Sequence, residues 1–303
     1  MDYLLDTCAV FIGRCLLIML NNKNILITGG SGSLGHALVE RICTEYSPNK
    51  LIIFSRCEYK QSLMQYDYNC LKYFIGDVRD VRRLRQVCRG VDIVIHAAAL
   101  KRIDTLEYNP TEAIRTNVDG TMNVIEVCIE CGVENAVFIS TDKAYAPVNL
   151  YGASKLCAEK IWLAANSFNK TDFTLVRYGN VINSRGSVIE LFLKLKEKGI
   201  KEFPITDKKM SRFWITLDEA VDLIYSAIEN LQEGECWTGD PRIYIRKIPS
   251  MLITEVARTI DPDCTFREIG IRPGEKMHES LCDGYSSNTN DDWMTPEELR
   301  EKL

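Results

Sequence analysis

The sequence predicts an α/β protein, a doubly wound parallel sheet followed by a smaller C-terminal lobe. Three observations predict it: from Asn24 short apolar runs alternate with longer segments of helical period, most of the short runs are unbroken, and the rhythm changes near Gly179. Strands buried on both faces read as continuous apolar runs, and the helices between them supply the crossovers of a parallel sheet.

The elements follow in order. NILIT (24–28) is a buried strand, and SLGHALVERICTEY (33–46) is a helix with Leu34, Leu38, Val39 and Ile42 on its apolar face. LIIF (51–54), YFIGD (73–77), VDIVIHAA (91–98), NAVFIST (135–141) and FTLVRYG (173–179) are further strands. A helix runs through VRRLRQVC, and two more cover TEAIRTNVDGTMNVIEVCIECG (111–132) and YGASKLCAEKIWLAANSF (151–168). Beyond Gly179 come a helix (187–198), a short strand (211–216), a helix (217–231) and a loop-rich remainder with Pro241, Pro249, Pro262 and Pro273.

Composition narrows the function. At 303 residues and 46% hydrophobic the chain can bury one large core or two smaller ones. A net charge of −5 argues against bulk nucleic-acid binding, while leaving room for a local basic pocket. The 12 cysteines are scattered, and Cys128 and Cys131 lack a second pair or a nearby histidine to complete a metal set. They read as thiols of a reducing compartment, and the expected location is cytoplasmic. His36, His96 and His278 lie far apart, so no metal site is expected.

Residues 1–20 form an N-terminal extension. Its run CAVFIGRCLLIML is interrupted by Arg14 and falls short of the about 20 apolar residues a membrane span needs. The start MDYLLD is acidic, unlike the basic head of a signal peptide. No stable membrane insertion is expected, and Met19 is the expected functional start, because MLNNKNILITGG runs straight into the first strand.

NILIT leads into GGSGSLG, a TGxxGxxG spacing that follows a strand and opens a helix. Such a turn lets a pyrophosphate approach the backbone at a helix N-terminus, which makes the fold Rossmann-like and Gly29, Ser31, Gly32, Ser33, Leu34 and Gly35 the expected cofactor contacts. An acid closing the second strand would hold the ribose hydroxyls of NAD. Here Ser55 and Arg56 stand there, with Lys60 nearby, so a 2′-phosphate and hence NADP is preferred, and Glu58 keeps NAD open. The expected division is a cofactor domain over residues 21–180, with a return around 211–231, and a lobe mainly over 181–303 that closes a substrate cleft.

The stretch STDKAYAPVNLYGASK (140–155) brings Thr141, Asp142 and Lys143 to the carboxyl edge of the sheet. Tyr151 and Lys155 follow four apart at a helix start, on one face. A cation beside a phenol lowers its pKa, so that it can take a proton from an alcohol as a hydride leaves the same carbon. A simple dehydrogenase needs no additional acid and base, whereas oxidation coupled to elimination of water does.

With ILITGGSGSLG, FSRCEYKQ, FIGDVRD, VIHAAALK, VRYGNVINSRGSV, SRFWIT, KIPSM and IGIRPGEKMHE in the same order, the chain resembles the extended short-chain dehydrogenase/reductases over roughly residues 19–281. Within them it is similar to the inverting UDP-N-acetylglucosamine 4,6-dehydratases. Lys143 stands where dTDP-glucose 4,6-dehydratases have Glu, and Tyr151 where the membrane-bound retaining enzymes tend to have Met.

The resemblance implies that Tyr151, helped by Lys155 and Thr141, deprotonates the sugar O4. Lys143, its pKa lowered by burial, would remove the C5 proton, and Asp142 would protonate O6. It further implies Asp77 and Val78 at the adenine, Ala97 to Ala99 against the cofactor, Lys101 between cofactor and sugar, and Thr116 and Asn117 at a structural site. Asn180 and Val181 would lie at the sugar or nicotinamide, Arg212 and Arg272 on the diphosphate, and Glu275 on the ribose. The implied partners are UDP-N-acetylglucosamine and a second copy of the chain. The N-terminal segment, the trimmed loop between Lys60 and Tyr73 and the short end after HESLCDG depart from the family pattern. A retaining dehydratase, a sugar-nucleotide epimerase and a non-catalytic NADP-binding regulator are the competing readings.

Overall fold

Ile25, Leu26 and Ile27 are all fully buried, which requires a strand covered on both faces. This strand, β1 (Asn24–Thr28), is central to a computed structural model that describes residues 20–64, 68–231 and 238–303. It is followed by α1 (Ser33–Glu45), β2 (Lys50–Ser55), α2 (Glu58–Ser62), β3 (Leu71–Ile75), α3 (Val81–Val87) and β4 (Ile93–His96). Then come α4 (Ile103–Tyr108), α5 (Pro110–Ile114), α6 (Gly120–Cys131), β5 (Asn135–Ile139), α7 (Leu150–Ala164) and β6 (Asp172–Val176). The second half holds β7 (Asn180–Val181), α8 (Val188–Glu197), β8 (Glu202–Ile205), β9 (Ser211–Ile215), α9 (Leu217–Ile228), β10 (Ile243–Tyr244) and β11 (Ser250–Leu252). It closes with α10 (Ile253–Ile260), β12 (Thr265–Glu268), β13 (Ser280–Cys282), β14 (Tyr285–Ser286) and α11 (Pro296–Lys302).

Seven strands form one parallel sheet in the order β10-β6-β5-β4-β1-β2-β3. The order reverses between β1 and β4, and ligands of open α/β sheets bind outside the carboxyl ends at such a point. Register puts Thr28 opposite both Phe54 and His96, and His96 opposite Phe138. The chain segments leaving β1, β4 and β5 therefore emerge side by side at one edge.

Alternate residues of β1 feed opposite faces, as the two-residue period of a strand dictates. Ile25 and Ile27 join Leu38, Val39 and Ile42 of α1 and Val221 and Ile224 of α9. Leu26 joins Val94, Val124, Phe138 and Trp162 on the other face. The second half has a further core, with Ile189, Phe192, Phe203, Trp214, Met251 and Val256, under the segments that approach the strand ends.

The structure departs from the sequence reading in places. The single helix expected over 111–132 is broken by a π-helical turn, Arg115–Asp119, whose extra residue turns Thr116 and Asn117 into the interior. Ile243 and Tyr244 pair with Leu175 and Val176 as the seventh strand; two residues just past Pro241 are too few to show a period. Residues 1–19, and with them the expectation about Met19, lie outside the described residues. Among the described residues no helix is long and apolar enough to cross a membrane.

Candidate active site

The edge is built first by the turn after β1. Gly29 has φ +69, and a Cβ there would stand 2.8 Å from the Ala98 backbone, so the turn lies directly against the segment leaving β4. Gly32 caps α1 without a side-chain hydrogen bond and no acid occupies the first helical turn, leaving its N–H groups open toward an anion. Ser31 and Gly35 are buried in this turn, and Ser33 and Leu34 are partly exposed at its rim.

A neutral imidazole ties the strands beneath. His96 Nδ1 lies 2.6 Å from Thr28 Oγ1, and its Nε2 3.1 Å from Thr121 Oγ1 of α6. Burial, and then the charge of Lys155, push its pKa down to about 3. Asn117 holds the next segment: it accepts from the Leu100 N–H at 2.8 Å and donates to the Leu100 carbonyl at 2.9 Å and to Ser154 Oγ at 3.0 Å. Thr116 is buried beside it, its hydroxyl without a partner. Lys101 faces solvent yet stands deep enough in the cleft for desolvation, and then the charge of Lys143, to lower its pKa.

At the end of β2 the hydroxyl of Ser55 accepts from Gln61 Nε2 at 3.0 Å. Arg56 and Lys60 are exposed, and the Arg56 guanidinium reaches within 3.9 Å of Asp77. Asp77 pairs more closely with Arg79, at 2.6 Å, and Val78 is buried with its carbonyl accepting from Asn123.

The centre lies on the turn after β5. Thr141 caps the 3-10 turn Asp142–Ala144, and its hydroxyl donates to Asp142 Oδ1 at 2.9 Å. Asp142 is fully buried, and Lys143 Nζ sits 2.9 Å from its Oδ1 and 3.3 Å from Asn180 Oδ1 on β7, beside Val181. Tyr151 stands in the first turn of α7, which Asn149 caps by accepting from the Gly152 N–H at 2.7 Å. A Cβ at Gly152 would lie 2.1 Å from the Lys143 carbonyl oxygen, so a glycine is what lets α7 begin against the Lys143 turn.

Two expectations are corrected here. Lys143 was expected to have a lowered pKa. Burial does push it down, but Asp142 and then Glu279, whose Oε1 is 3.7 Å away, outweigh burial and hold it above the ordinary lysine value. The phenol of Tyr151 was expected to be lowered by Lys155. Burial raises it to about 12, and the groups that favour its phenolate are Lys143 and Thr141. Lys155 instead donates to the Ile139 carbonyl at 2.6 Å and lies 3.6 Å over the Phe138 ring, the acceptors nearest a buried ammonium. Burial lowers Lys155 to about 7, against the pull of Glu159.

Of the other expected residues, Arg212 is buried and donates to the carbonyls of Ser211, Met277 and Lys276 at 2.7–3.0 Å. Arg272 and Glu275 are paired with each other at 3.2 Å, and Glu275 also accepts from Thr206. Sequence reasoning missed Glu279, Lys276 and the buried Glu159–Arg177 pair. Arg177 grips Glu159 at 2.6 and 3.1 Å and donates to the Leu281 carbonyl at 2.6 Å, tying α7, β6 and β13 together.

A parallel sheet of this order, a glycine turn after β1 and a tyrosine–lysine pair after β5 define the extended short-chain dehydrogenase/reductase class. The chain belongs to the family described as polysaccharide biosynthesis protein, which matches residues 25–296. It is 49% identical over 275 residues to the UDP-N-acetylglucosamine 4,6-dehydratase (inverting) of Campylobacter jejuni, covering 89% of this chain and 80% of that one. It is 40% identical over 275 residues to a protein of Rickettsia canadensis named UDP-glucose 4-epimerase, covering 87% and 78%. The X-ray structure of Pen from Bacillus thuringiensis superposes with a TM-score of 0.84 at 34% identity, over 94% of this chain and 98% of that one. DesIV, a dTDP-glucose 4,6-dehydratase from Streptomyces venezuelae with NAD and TYD bound, shares the fold with a TM-score of 0.74 at 22% identity, over 92% and 90%.

Proposed function

We propose that the chain is an NADP-dependent, inverting 4,6-dehydratase of UDP-N-acetylglucosamine, yielding UDP-2-acetamido-2,6-dideoxy-β-L-arabino-hexos-4-ulose. The observation that carries the reading is the ion pair of buried Asp142 with partly buried Lys143 beside Tyr151, an acid and a base beyond what alcohol oxidation uses. Similarity to the Campylobacter enzyme supports it.

The residues present fit a dinucleotide. The Gly29 turn against Ala98 and the open first turn of α1 suit its pyrophosphate, Ala97 and Lys101 its nicotinamide side, and Asp77 and Val78 its adenine. Exposed Arg56 and Lys60 suit a 2′-phosphate, with the Ser55 hydroxyl able to donate, since Gln61 already donates to it. A nicotinamide held there would supply the acceptor for the C4 hydride and the hydride that goes to C6.

The chain's own groups move the protons. Tyr151 Oη takes the O4 proton, with Thr141 and Lys143 favouring the phenolate. The C4 ketone acidifies the C5 hydrogen. One proton passing from Lys143 Nζ to Asp142 across their 2.9 Å contact turns the ion pair into a free amine and a carboxylic acid. The amine then takes the C5 proton, the C5–H electrons form the C5–C6 double bond, and O6 leaves with the Asp142 proton as water. Lys143 and Asp142 return to the ion pair, so the site is reset without an outside acid or base. Tyr151 gives up the O4 proton to solvent as C5 takes one from solvent on the opposite face, which restores the phenolate and completes the inversion. Arg212, Arg272 and Glu275 are assigned to the UDP moiety, and Asn180 to the sugar. A cytoplasmic homo-oligomer is the proposed working form, on the family resemblance.

A second reading has its own observation, the Rickettsia relative named as an epimerase. Epimerisation at C4 would use Tyr151 and leave Asp142 and Lys143 without a task. Incubation with UDP-N-acetylglucosamine and with UDP-glucose in heavy water, read by NMR, separates the two. Dehydration places deuterium at C5 and a methyl group at C6, whereas epimerisation leaves both carbons unchanged.

A further inference from the structure

Glu279 comes from the far end of the chain, one residue before β13, and closes the phrase IGIRPGEKMHE, in which the sequence reading gave roles only to Arg272 and Glu275. Its carboxylate is buried between two ammonium groups, Oε1 3.7 Å from Lys143 Nζ and Oε2 3.3 Å from Lys276 Nζ. Its backbone is pinned: the Glu279 N–H donates to Ser287 Oγ at 3.1 Å, and its carbonyl accepts from the Ser287 N–H at 2.8 Å and from Ser286 Oγ at 3.2 Å. Lys276 also donates to the Tyr145 carbonyl at 2.7 Å, two residues beyond Lys143. The segment before β13 and the turn after β5 are thus clamped at two points, one of them on Lys143 itself.

We infer that Glu279 is a positioning residue for the acid–base pair: it holds the Lys143 ammonium beside Asp142 and biases which of the two carries their shared proton. The inference rests on the dehydration reading for its purpose and on the geometry of the clamp for its existence. The charged groups facing Lys143 come from every element around it. Asp142 lies on its own turn, Glu279 with Lys276 on the segment before β13, Arg212 on β9, Lys101 on the segment after β4, and the Tyr151 phenol on α7. Asp142 and Glu279 favour the ammonium, while burial, Arg212 and Lys101 favour the amine. Glu279 adds to Asp142 on the ammonium side of this balance, from a separate segment of the chain. A purely structural glutamate would have no bearing on it.

The test uses the full chain with Glu279→Gln, Glu279→Asp and Lys276→Met. The pH midpoint for acetylation of Lys143 by acetic anhydride is read by peptide mass spectrometry without substrate. The pH profile of kcat/KM is then read with UDP-N-acetylglucosamine. Glu279→Gln should lower the Lys143 midpoint by about one to three units and move the alkaline limb of the profile down with it, since the reactive ion pair needs the Lys143 proton. Glu279→Asp, keeping the charge, should bring both back toward the parent. Lys276→Met frees the carboxylate to act on Lys143 alone and should raise the midpoint, which keeps the idea testable if Glu279→Gln folds poorly. An unmoved midpoint in Glu279→Gln, or a uniform loss of rate at every pH, overturns the inference, as does a lowered or unchanged midpoint in Lys276→Met. Absence of product from the parent protein would refute the dehydration reading alone, since the labelling midpoints need no turnover.

Discussion

Gly152→Ala puts the coupling between the two halves of the site to a direct test. The added Cβ would lie 2.1 Å from the Lys143 carbonyl oxygen, a backbone atom that cannot rotate aside. Ordinary C···O contacts begin near about 3.3 Å, so the α7 start and the Lys143 turn must part by about 1.2 Å. Overpacking of this kind costs about 1–3 kcal/mol of stability, and a misplacement of about 1 Å between reacting groups costs on the order of 100-fold in rate. The separation falls between Tyr151, which handles O4, and Lys143, which handles C5, so kcat should drop by that factor. KM should change little, because Arg212, Arg272 and Glu275 lie on other segments. Steady-state appearance of the 4-keto product by NMR gives the rate, and urea unfolding gives the stability. A Gly152→Ala protein with kcat within about threefold of the parent would show that the two halves are not held by this contact.

Three other outcomes follow from the same structure. Lys143→Ala should leave cofactor binding intact and reduce water loss by about 100- to 10,000-fold, the usual worth of a positioned base; undiminished product would remove Lys143 from that role. Glu159→Gln leaves the buried Arg177 cation without its carboxylate and should cost about 3–5 kcal/mol in urea unfolding, while a Glu159→Leu/Arg177→Met double variant should cost clearly less. A double variant as unstable as the single would contradict this account of the pair. Lys155 should leave a trace in the pH dependence of stability. Its folded pKa of about 7 lies below the ordinary 10.5, so between those values the unfolded chain binds more protons. The parent should therefore gain stability relative to Lys155→Met as pH rises from about 7 toward 10.5, and a flat difference across that window would refute the burial argument.

Much of this architecture was legible because the relevant signals are local. Unbroken apolar runs place β1 to β6 to within a few residues, the glycine turn follows β1 directly, and Thr141 to Lys155 lie on one turn and the helix after it. What escaped the reading is non-local. Glu279 and Lys276 meet Lys143 only because the C-terminal segment folds back over the strand ends, and no periodicity marks that approach. The π turn at Arg115–Asp119 looks in sequence like continuous helix, since no Gly or Pro interrupts it and apolar residues flank it on both sides. The direction of the Lys143 shift was misjudged because the pull of the neighbouring Asp142 was not set against burial, and Glu279 adds to that pull. Burial was foreseeable from its position at the sheet edge, but its second carboxylate was not.

The central claim is that one site couples oxidation at C4 to loss of water across C5 and C6, using Asp142 and Lys143 as the acid and base. The most direct measurement is NMR of the product formed by the full chain with NADP and UDP-N-acetylglucosamine in heavy water. The account predicts a 6-deoxy-4-keto sugar with deuterium at C5, the L-arabino configuration and no net change in NADP. A product inverted at C4, with C6 still hydroxylated and C5 still carrying its original hydrogen, would contradict it.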